Sequence, residues 1–286
     1  YETEPGRIAV ANGSCEILLA AAEALAEPGA EIVYAWPSFS MYPYLPALTG
    51  AREIRVPLAP GDVHDLDAMA AEVTAATQLL IVCNPNNPTA THIPAAEIAE
   101  FCERIPPHVT VILDEAYIEF QTHDDPDETL DLLDDFPNLV LLRTFSKCYG
   151  LAGLRVGYAI GSAGFRGAVD AVRQPFSVNA LAQAAGAEAI FHQDDVLRRV
   201  EATIAERLRV QEGLAELDLQ TSDSQANFSW VDLGDAEEAE IVAGLGERLI
   251  AVRPGTPLGA PGHIRVTYGA PEENDRFLTG LEELLD

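Results

Sequence analysis

Polar residues that could do chemistry stand at the ends of β-rich, apolar runs in this sequence. Asn87, Asp114 and Lys147 each lie within a few positions of the end of such a run, and Gly13 closely follows the run 8–11. In α/β proteins the carboxyl ends of parallel strands meet at one edge of the sheet, where ligands bind. The sequence therefore predicts one site assembled from four strand ends.

Lys147 is the one lysine among 17 basic residues, and the other 16 are arginines. A lysine amine is mostly protonated near neutral pH, so bonding to a carbonyl carbon requires its pKa to be lowered. A general bias toward arginine would explain the scarcity of lysine, and most lysines lie on the surface. A lysine directly after an apolar strand instead indicates a functional amine, because strand-end loops often carry function.

The residues around Lys147 match the needs of pyridoxal 5′-phosphate. This cofactor requires a lysine for its aldehyde, an acid that keeps its ring nitrogen protonated, and a cup for its phosphate. Phosphate is best held by the N–H groups of a helix N-terminus together with hydroxyls and an arginine. Asp114 offers the acid. The predicted cup consists of Gly13, Ser14 and Cys15 at the start of a helix, with Thr144, Ser146 and Arg155.

The elements that must position these residues alternate between strands and helices, as is typical of βαβ units. Strands are predicted at 8–11, 31–35, 53–57, 79–83, 109–113, 139–143 and 155–160. Helices are predicted between them at 15–26, 66–76 and 95–104. The runs 79–83 and 109–113 are almost entirely apolar, which suits strands buried on both faces. The predicted fold class is α/β, with a large domain whose mostly parallel sheet is covered by helices.

The pattern changes after about residue 175. Helices are predicted at 178–192, 195–217, 236–249 and 271–285, and strands at 226–233 and 263–268. We interpret residues 1–174 as a large cofactor-binding domain and residues 175–286 as a smaller α+β domain, joined through the long helix.

The chain carries 46 acidic residues and a formal net charge of −29. So acidic a surface argues against nucleic acid or an anionic membrane as a partner. Four cysteines without a CxxC pair predict no disulfide framework. The acidic stretch 124–135 matches no calcium loop, so we predict no metal there and interpret it as a solvated surface loop. Without a signal peptide or a long apolar span in the sequence, a cytoplasmic location is expected.

Residues 144–158, with the sequence TFSKCYGLAGLRVGY, resemble the lysine segment of histidinol-phosphate aminotransferases. These enzymes belong to the aspartate-aminotransferase-like, fold type I group that depends on pyridoxal phosphate. Residues 84–89 (NPNNPT) and 114–117 (DEAY) resemble two further signatures of the family, in the same order and at similar spacing. The resemblance covers essentially the whole chain and implies the same fold and cofactor.

The resemblance also implies a role for each matching residue. Lys147 would bind the cofactor covalently and then move a proton between substrate and cofactor. Asp114 would pair with the ring nitrogen, and Phe39 would stack on the ring. Tyr117 and Asn87 would hydrogen-bond the ring hydroxyl. The phosphate would be held by Gly13, Ser14, Cys15, Thr144, Ser146 and Arg155.

Two arginines of the second domain, Arg253 and Arg265, match the family's arginines for the acidic groups of the substrate. Bidentate guanidinium contacts suit a carboxylate or a phosphate. Structural alternatives stay open: Phe39 and Tyr117 could be packing residues, and Arg265 could be half of a structural ion pair. Arg143 is interpreted as structural, and no histidine is assigned a role.

The chain departs from the family pattern in three respects. Cys15 stands where the family more often has Asp, and Ala90 stands where it has Gly. The family also carries several tens of residues ahead of the position of Tyr1. That arm holds substrate contacts and, in the dimer, a tyrosine that reaches the partner's cofactor phosphate. We expect the arm to be missing here, so the sequence determines the cofactor better than the substrate.

The leading hypothesis is an aminotransferase of histidine biosynthesis, which exchanges the amino group between histidinol phosphate and 2-oxoglutarate. An aromatic amino-acid aminotransferase and a phospho-amino-acid decarboxylase share these motifs and stay open as alternatives. A non-catalytic ligand-binding or assembly module is the alternative from another class, because a fold alone does not guarantee activity. The family further implies a homodimer with the active site at its interface.

Overall fold

The structure is a computed structural model that describes residue 1 and residues 3–285. In this part of the chain, one sheet is formed by β1 (Ile8–Ala11), β2 (Glu31–Trp36), β3 (Arg52–Pro57), β4 (Thr77–Cys83), β5 (Thr110–Asp114), β6 (Leu139–Thr144) and β7 (Gly157–Ile160). Their order in the sheet is β1-β7-β6-β5-β4-β2-β3. Strands β2 to β6 pair in parallel, whereas β7 runs antiparallel to both β1 and β6. The carboxyl ends of β1, β4, β5 and β6 therefore lie at one edge.

Helices cover both faces of this sheet, which confirms the predicted fold class. They are α1 (Ser14–Leu25), α2 (Tyr44–Thr49), α3 (Leu66–Ala71), α4 (Ala95–Arg104), α5 (Leu132–Asp135), α6 (Ala163–Val172) and α7 (Ala180–Ala189). On one face Met69 and Phe101, from α3 and α4, pack against the strands. On the other face Leu18 and Val169, from α1 and α6, do so. The central strands are thus buried on both sides, as their unbroken apolar runs predict.

A second, antiparallel sheet follows the first. It contains β8 (Gln220–Thr221), β9 (Phe228–Asp232), β10 (Arg253–Pro254) and β11 (His263–Thr267), in the order β10-β11-β9-β8. Three helices, α8 (Gln193–Glu216), α9 (Glu238–Glu247) and α10 (Pro271–Leu285), share its apolar core. Ala182 of α7 packs in the first core instead. The division between residues 174 and 175 stays a prediction.

None of the helices in the described residues is long and apolar enough to cross a membrane.

Local hydrogen bonds explain where the elements differ from the predicted bounds. Helix α3 ends at Ala71, before the predicted residue 76, and the chain then forms a turn in which the Thr74 N–H donates to Thr77 Oγ1 (2.9 Å). Strand β7 starts two residues late, because Arg155 has a left-handed φ of 58°. Helix α6 was not predicted, although Ser162 caps it by accepting the Phe165 N–H (3.1 Å).

The acidic residues of the stretch 124–135 are mostly exposed, as predicted, but two of their carboxylates also bind distant elements. Asp127 lies 2.6 Å from Nη1 of the buried Arg143. Asp124 accepts a hydrogen bond from the Ala95 N–H at the start of α4 (2.8 Å). These contacts escape sequence reading because their partners lie on distant elements.

Candidate active site

A cavity of about 160 Å³ lies at the edge where β1, β4, β5 and β6 end. Its walls come from all four strand ends and from the segment between β2 and α2. The lining residues are Ser14, Cys15, Phe39, Cys83, Asn87, Asp114, Ala116, Tyr117, Thr144, Ser146, Lys147, Ala152 and Arg155. The structure thus brings together the predicted cofactor residues apart from Gly13, which does not line the cavity but lies close to Arg155.

The predicted phosphate cup is a compact group at the start of α1. Thr144 Oγ1 lies 3.0 Å from Ser146 Oγ, and Arg155 Nη1 lies 3.5 Å from the same Ser146 oxygen. Gly13 has a φ of +80°, and a Cβ added there would lie 2.3 Å from Arg155 Nη2. Glycine at this position therefore allows both the turn and the close approach of the guanidinium. The free N–H groups of α1 add a positive field suited to an anion.

Gly157 sets how closely the cup approaches the sheet. A Cβ added to Gly157 would lie 2.5 Å from the Ser14 nitrogen and 2.9 Å from the Gly13 carbonyl carbon. Both neighbours are backbone atoms, so they cannot rotate away. The start of α1 can pack on β7 only because residue 157 has no side chain.

Asp114, the last residue of β5, is a buried carboxylate with spare bonding capacity. Its Oδ2 accepts a hydrogen bond from the Tyr42 hydroxyl (2.9 Å), whereas Oδ1 has no hydrogen-bond partner among the described residues. Burial raises the pKa of Asp114 to about 6, and the Tyr42 hydrogen bond opposes this rise. Such a group can accept a hydrogen bond from a protonated ring nitrogen.

Lys147 and Tyr117 face each other at the cavity. The Lys147 Nζ lies 5.0 Å from the centroid of the Tyr117 ring. Phe39 is half-buried on the cavity wall and meets the Tyr42 ring edge to face, with the ring centroids 5.7 Å apart. The amine and the two aromatic side chains therefore surround the space in front of Asp114.

The two predicted substrate arginines lie opposite each other on β10 and β11, but in different environments. Arg265 is largely buried over the Phe228 ring, with its Cζ 4.8 Å from the centroid, and its Nη1 donates to Asn87 Oδ1. Burial lowers its pKa, and Nε has no partner in the described part of the chain. Arg253 is exposed and does not line the cavity. Neither arginine lines the cavity itself, and of the two Arg265 is the one that bonds to a cavity residue, Asn87.

Sequence reasoning missed Tyr42, Cys83 and Gly157. Tyr42 lies three positions after Phe39, and its N–H bonds to the Phe39 carbonyl (3.0 Å). A buried tyrosine hydroxyl normally has a hydrogen-bond partner, which is a usable signal. The sequence could not show that the partner is Asp114. Cys83 ends β4, where it reads as a core residue.

The departure at Ala90 has a backbone consequence. Ala90 is fully buried and has a φ of 62°, in the left-handed region that glycine adopts most easily. An alanine there costs about 1 kcal/mol of backbone strain. Its N–H donates to the Asn86 carbonyl (2.8 Å), so the turn between β4 and α4 is kept.

Comparison with known proteins identifies the family. The sequence profile of aminotransferase class I and II matches residues 1–281. The chain belongs to this family. It is 46% identical over 275 residues to an aromatic amino acid aminotransferase of Thermobifida fusca, covering 95% of this chain and 74% of that protein. An enzyme of the same name from Mycobacteroides abscessus is 44% identical over 274 residues, covering 96% and 77%.

Solved structures of class I and II aminotransferases superimpose on the chain. Histidinol-phosphate aminotransferase from Sinorhizobium meliloti, in complex with pyridoxal 5′-phosphate, gives a TM-score of 0.88 at 30% identity, covering 99% of this chain and 77% of that one. Aspartate aminotransferase from Thermus thermophilus with maleate gives 0.88 at 25% identity and the same coverages. The aminotransferase activity and the pyridoxal-phosphate cofactor predicted from the sequence are thus confirmed.

The cavity of this aminotransferase fits the cofactor. The free Oδ1 of Asp114 suits a ring N–H, because a buried acceptor without a partner is costly. The cup offers hydroxyls, helix N–H groups and the Arg155 guanidinium to a phosphate, and Lys147 is an amine at the same cavity. In the described residues, no group of three or more His, Cys, Asp or Glu side chains could hold a metal ion.

Proposed function

We propose that this aminotransferase transfers the amino group of aromatic amino acids to a 2-oxo acid such as 2-oxoglutarate. The main support is the name shared by relatives that are 42–46% identical to this chain over 95–96% of its length. Each is called an aromatic amino acid aminotransferase. The sequence hypothesis of histidinol phosphate as the substrate has weaker support than its aromatic alternative.

We propose the following roles for the cavity residues. Bound pyridoxal phosphate supplies a conjugated ring that accepts the electron pair of the substrate Cα–H bond. Nζ of Lys147 would take the proton from the substrate Cα and deliver it to the cofactor carbon that carried the aldehyde. Asp114 Oδ1 accepts the ring N–H and so keeps the ring nitrogen protonated. Asn87 and Tyr117 contact the ring hydroxyl, and Phe39 stacks on the ring. The phosphate contacts are Gly13, Ser14, Cys15, Thr144, Ser146 and Arg155.

Arg265 is the proposed contact for the substrate carboxylate. Its Nη1 is fixed by Asn87 and its face by the Phe228 ring, so the guanidinium has little freedom. The unpartnered Nε and the remaining Nη donors form a fork that matches a carboxylate. Arg265 would thus place the substrate carboxylate next to the ring-hydroxyl contact Asn87.

A substrate panel tests the proposed specificity. The holoenzyme is mixed with phenylalanine, tyrosine, tryptophan or histidinol phosphate, each with 2-oxoglutarate, and kcat/KM is compared. We expect an aromatic amino acid to give the highest value. A higher kcat/KM for histidinol phosphate would overturn the proposal. Borohydride reduction followed by peptide mapping should place the cofactor label on Lys147.

Histidinol phosphate stays the second candidate because of two observations. The Sinorhizobium meliloti histidinol-phosphate aminotransferase superimposes at 30% identity. Arg253 also faces Arg265 across the β10–β11 pair, so two guanidinium groups could serve a doubly charged phosphate. A role in histidine biosynthesis depends on this candidate and has no further support. A cytoplasmic location stays a prediction.

We also propose that the enzyme is a homodimer. An apolar groove of about 540 Å³ lies beside β1 and α7 and shares no lining residue with the cofactor cavity. Phe176 on its wall is fully exposed. Phe191, which follows the groove residue Ile190 in the sequence, is 82% exposed. Exposed aromatic residues on this scale are typical of interaction surfaces. Sedimentation of the holoenzyme should give twice the chain mass, and Phe176→Asp should lower that mass.

A further inference from the structure

Tyr42 is a fully buried tyrosine that contacts two proposed cofactor residues at once. Its hydroxyl donates to Asp114 Oδ2 (2.9 Å), and its ring meets the Phe39 ring edge to face. Tyr42 itself does not line the cavity. It therefore can act on the cofactor only through these two neighbours.

The Tyr42 hydrogen bond leaves the two oxygens of Asp114 in different states. Oδ2 is fixed by the Tyr42 hydroxyl, while Oδ1 has no partner within the residues that the structure describes. A carboxylate can rotate about its Cβ–Cγ bond, so a bond to one oxygen determines where the other lies. The hydroxyl thus determines which oxygen of Asp114 is left without a partner.

We propose that Tyr42 is a positioning residue for the cofactor ring: it fixes Asp114 through Oδ2 so that Oδ1 receives the ring N–H. The proposal rests on the role proposed above for Asp114. Tyr42 also favours the ionised form of Asp114, since a hydrogen bond to a carboxylate stabilises its charge. The other titratable groups close to Asp114 are Cys15, Cys83, Glu115 and Lys147.

The test measures the affinity of the full chain for two cofactors at several pH values. One is pyridoxal phosphate, and the other is its 1-deaza analogue, in which a carbon replaces the ring nitrogen. Tyr42→Phe should raise the Kd for pyridoxal phosphate about tenfold at pH 8, as expected for the loss of a charge-assisted hydrogen bond. The loss should be larger at pH 6, where more Asp114 is then protonated. The Kd for the deaza analogue should change by less than about twofold.

Tyr34→Phe is the matched control. Tyr34 is also fully buried and packs on Tyr42, with ring centroids 5.6 Å apart, but its hydroxyl donates to Glu53. This variant loses a buried hydroxyl without touching Asp114. It should bind both cofactors with the same affinity as the unmodified enzyme.

The outcomes separate this proposal from the role of Asp114. If Tyr42→Phe weakens the binding of both cofactors equally, or leaves both affinities unchanged, Tyr42 is a packing residue and the proposal is overturned. Asp114→Asn should by itself abolish the preference for the ring nitrogen, that is, the tighter binding of pyridoxal phosphate than of the deaza analogue. If Asp114→Asn keeps that preference, the proposed role of Asp114 is wrong as well. In the Asp114→Asn background, Tyr42→Phe should have little further effect on either Kd, whether or not the single variant is less stable.

Discussion

Two neighbouring residues at the end of β5 lie in buried polar clusters that differ in how completely their hydrogen bonds are satisfied. Glu115 Oε1 accepts from Thr129 (2.6 Å) and Oε2 from Arg143 Nε (2.7 Å). Arg143 also donates to the Asp127 carboxylate, the Tyr1 hydroxyl and the Pro126 carbonyl. We call these residues the Arg143 cluster. Asp114, one position before Glu115, has one carboxylate oxygen without a partner in the described chain.

The difference shows which of these two buried carboxylates can still accept a hydrogen bond from a ligand. A buried group whose bonds are all made adds order to the fold, whereas one with a free donor or acceptor carries a cost that a ligand can remove. The same contrast holds between two buried arginines. Arg143 uses Nε and both Nη atoms, and Arg265 keeps Nε free in the region described. Asp114 and Arg265 therefore keep bonding capacity that a ligand can use, as do buried side chains elsewhere in the described residues, such as His64 and Glu119.

The largest effect should come from the cavity amine. Lys147→Arg removes the amine that we propose bonds to the cofactor, and an always-protonated guanidinium cannot replace that amine. We expect transamination to fall at least about a thousandfold, which is about 4 kcal/mol of activation free energy. Single-turnover absorbance with phenylalanine measures this loss. Near-normal turnover would remove Lys147 from the mechanism.

In the Arg143 cluster, Arg143→Met should lower the free energy of unfolding by about 3 to 5 kcal/mol. The substitution leaves Glu115 as a buried charge without its partner. Denaturant unfolding of the protein without cofactor gives this value. Arg198→Met is the control, because its pair with Asp195 is exposed and should contribute less than about 1 kcal/mol. Equal losses in the two variants would contradict a structural role specific to the Arg143 cluster.

Asp114→Asn should have opposite effects on function and stability. The folded pKa of about 6 lies above the ordinary 3.8, so ionised Asp114 destabilises the cofactor-free fold. This penalty is absent below pH 3.8, grows up to pH 6 and then stays near 2 to 3 kcal/mol. The variant should therefore unfold at higher denaturant than the unmodified protein at pH 7.5, while losing activity. A stability gain of the same size at pH 4 would contradict this cause.

The smallest effect should come from Arg253→Ala. Arg253 is exposed and lies outside the cavity lining, so the phenylalanine half-reaction should slow by less than about threefold. With histidinol phosphate, a second guanidinium would matter more, and the loss should exceed tenfold. Measuring both half-reactions on one preparation separates the two candidate substrates. A large loss with phenylalanine would place Arg253 in carboxylate binding.

The sequence predicted what local chemistry determines. Apolar runs located β4, β5 and β6, and the residues after them converge on one cavity because parallel strands share an edge. Pairings between distant elements could not be predicted. The Tyr42 hydroxyl donates to Asp114 at the end of β5. Asp127 accepts a hydrogen bond from Arg143, which lies on β6. Gly157 was missed for the same reason, because glycine is required there by the close approach of the backbone at the start of α1.

The reversed direction of β7 has a consequence for how the enzyme folds. Because β7 lies between β1 and β6, the proposed phosphate cup is complete only when Ile8 pairs with Ile160, at the two ends of the chain segment that forms the first sheet. Such long-range pairing is slow compared with the formation of local helices. A chain emerging from the ribosome cannot hold the cofactor phosphate until residues near 160 are free to pair. Uptake of pyridoxal phosphate during refolding would therefore report when the large sheet closes.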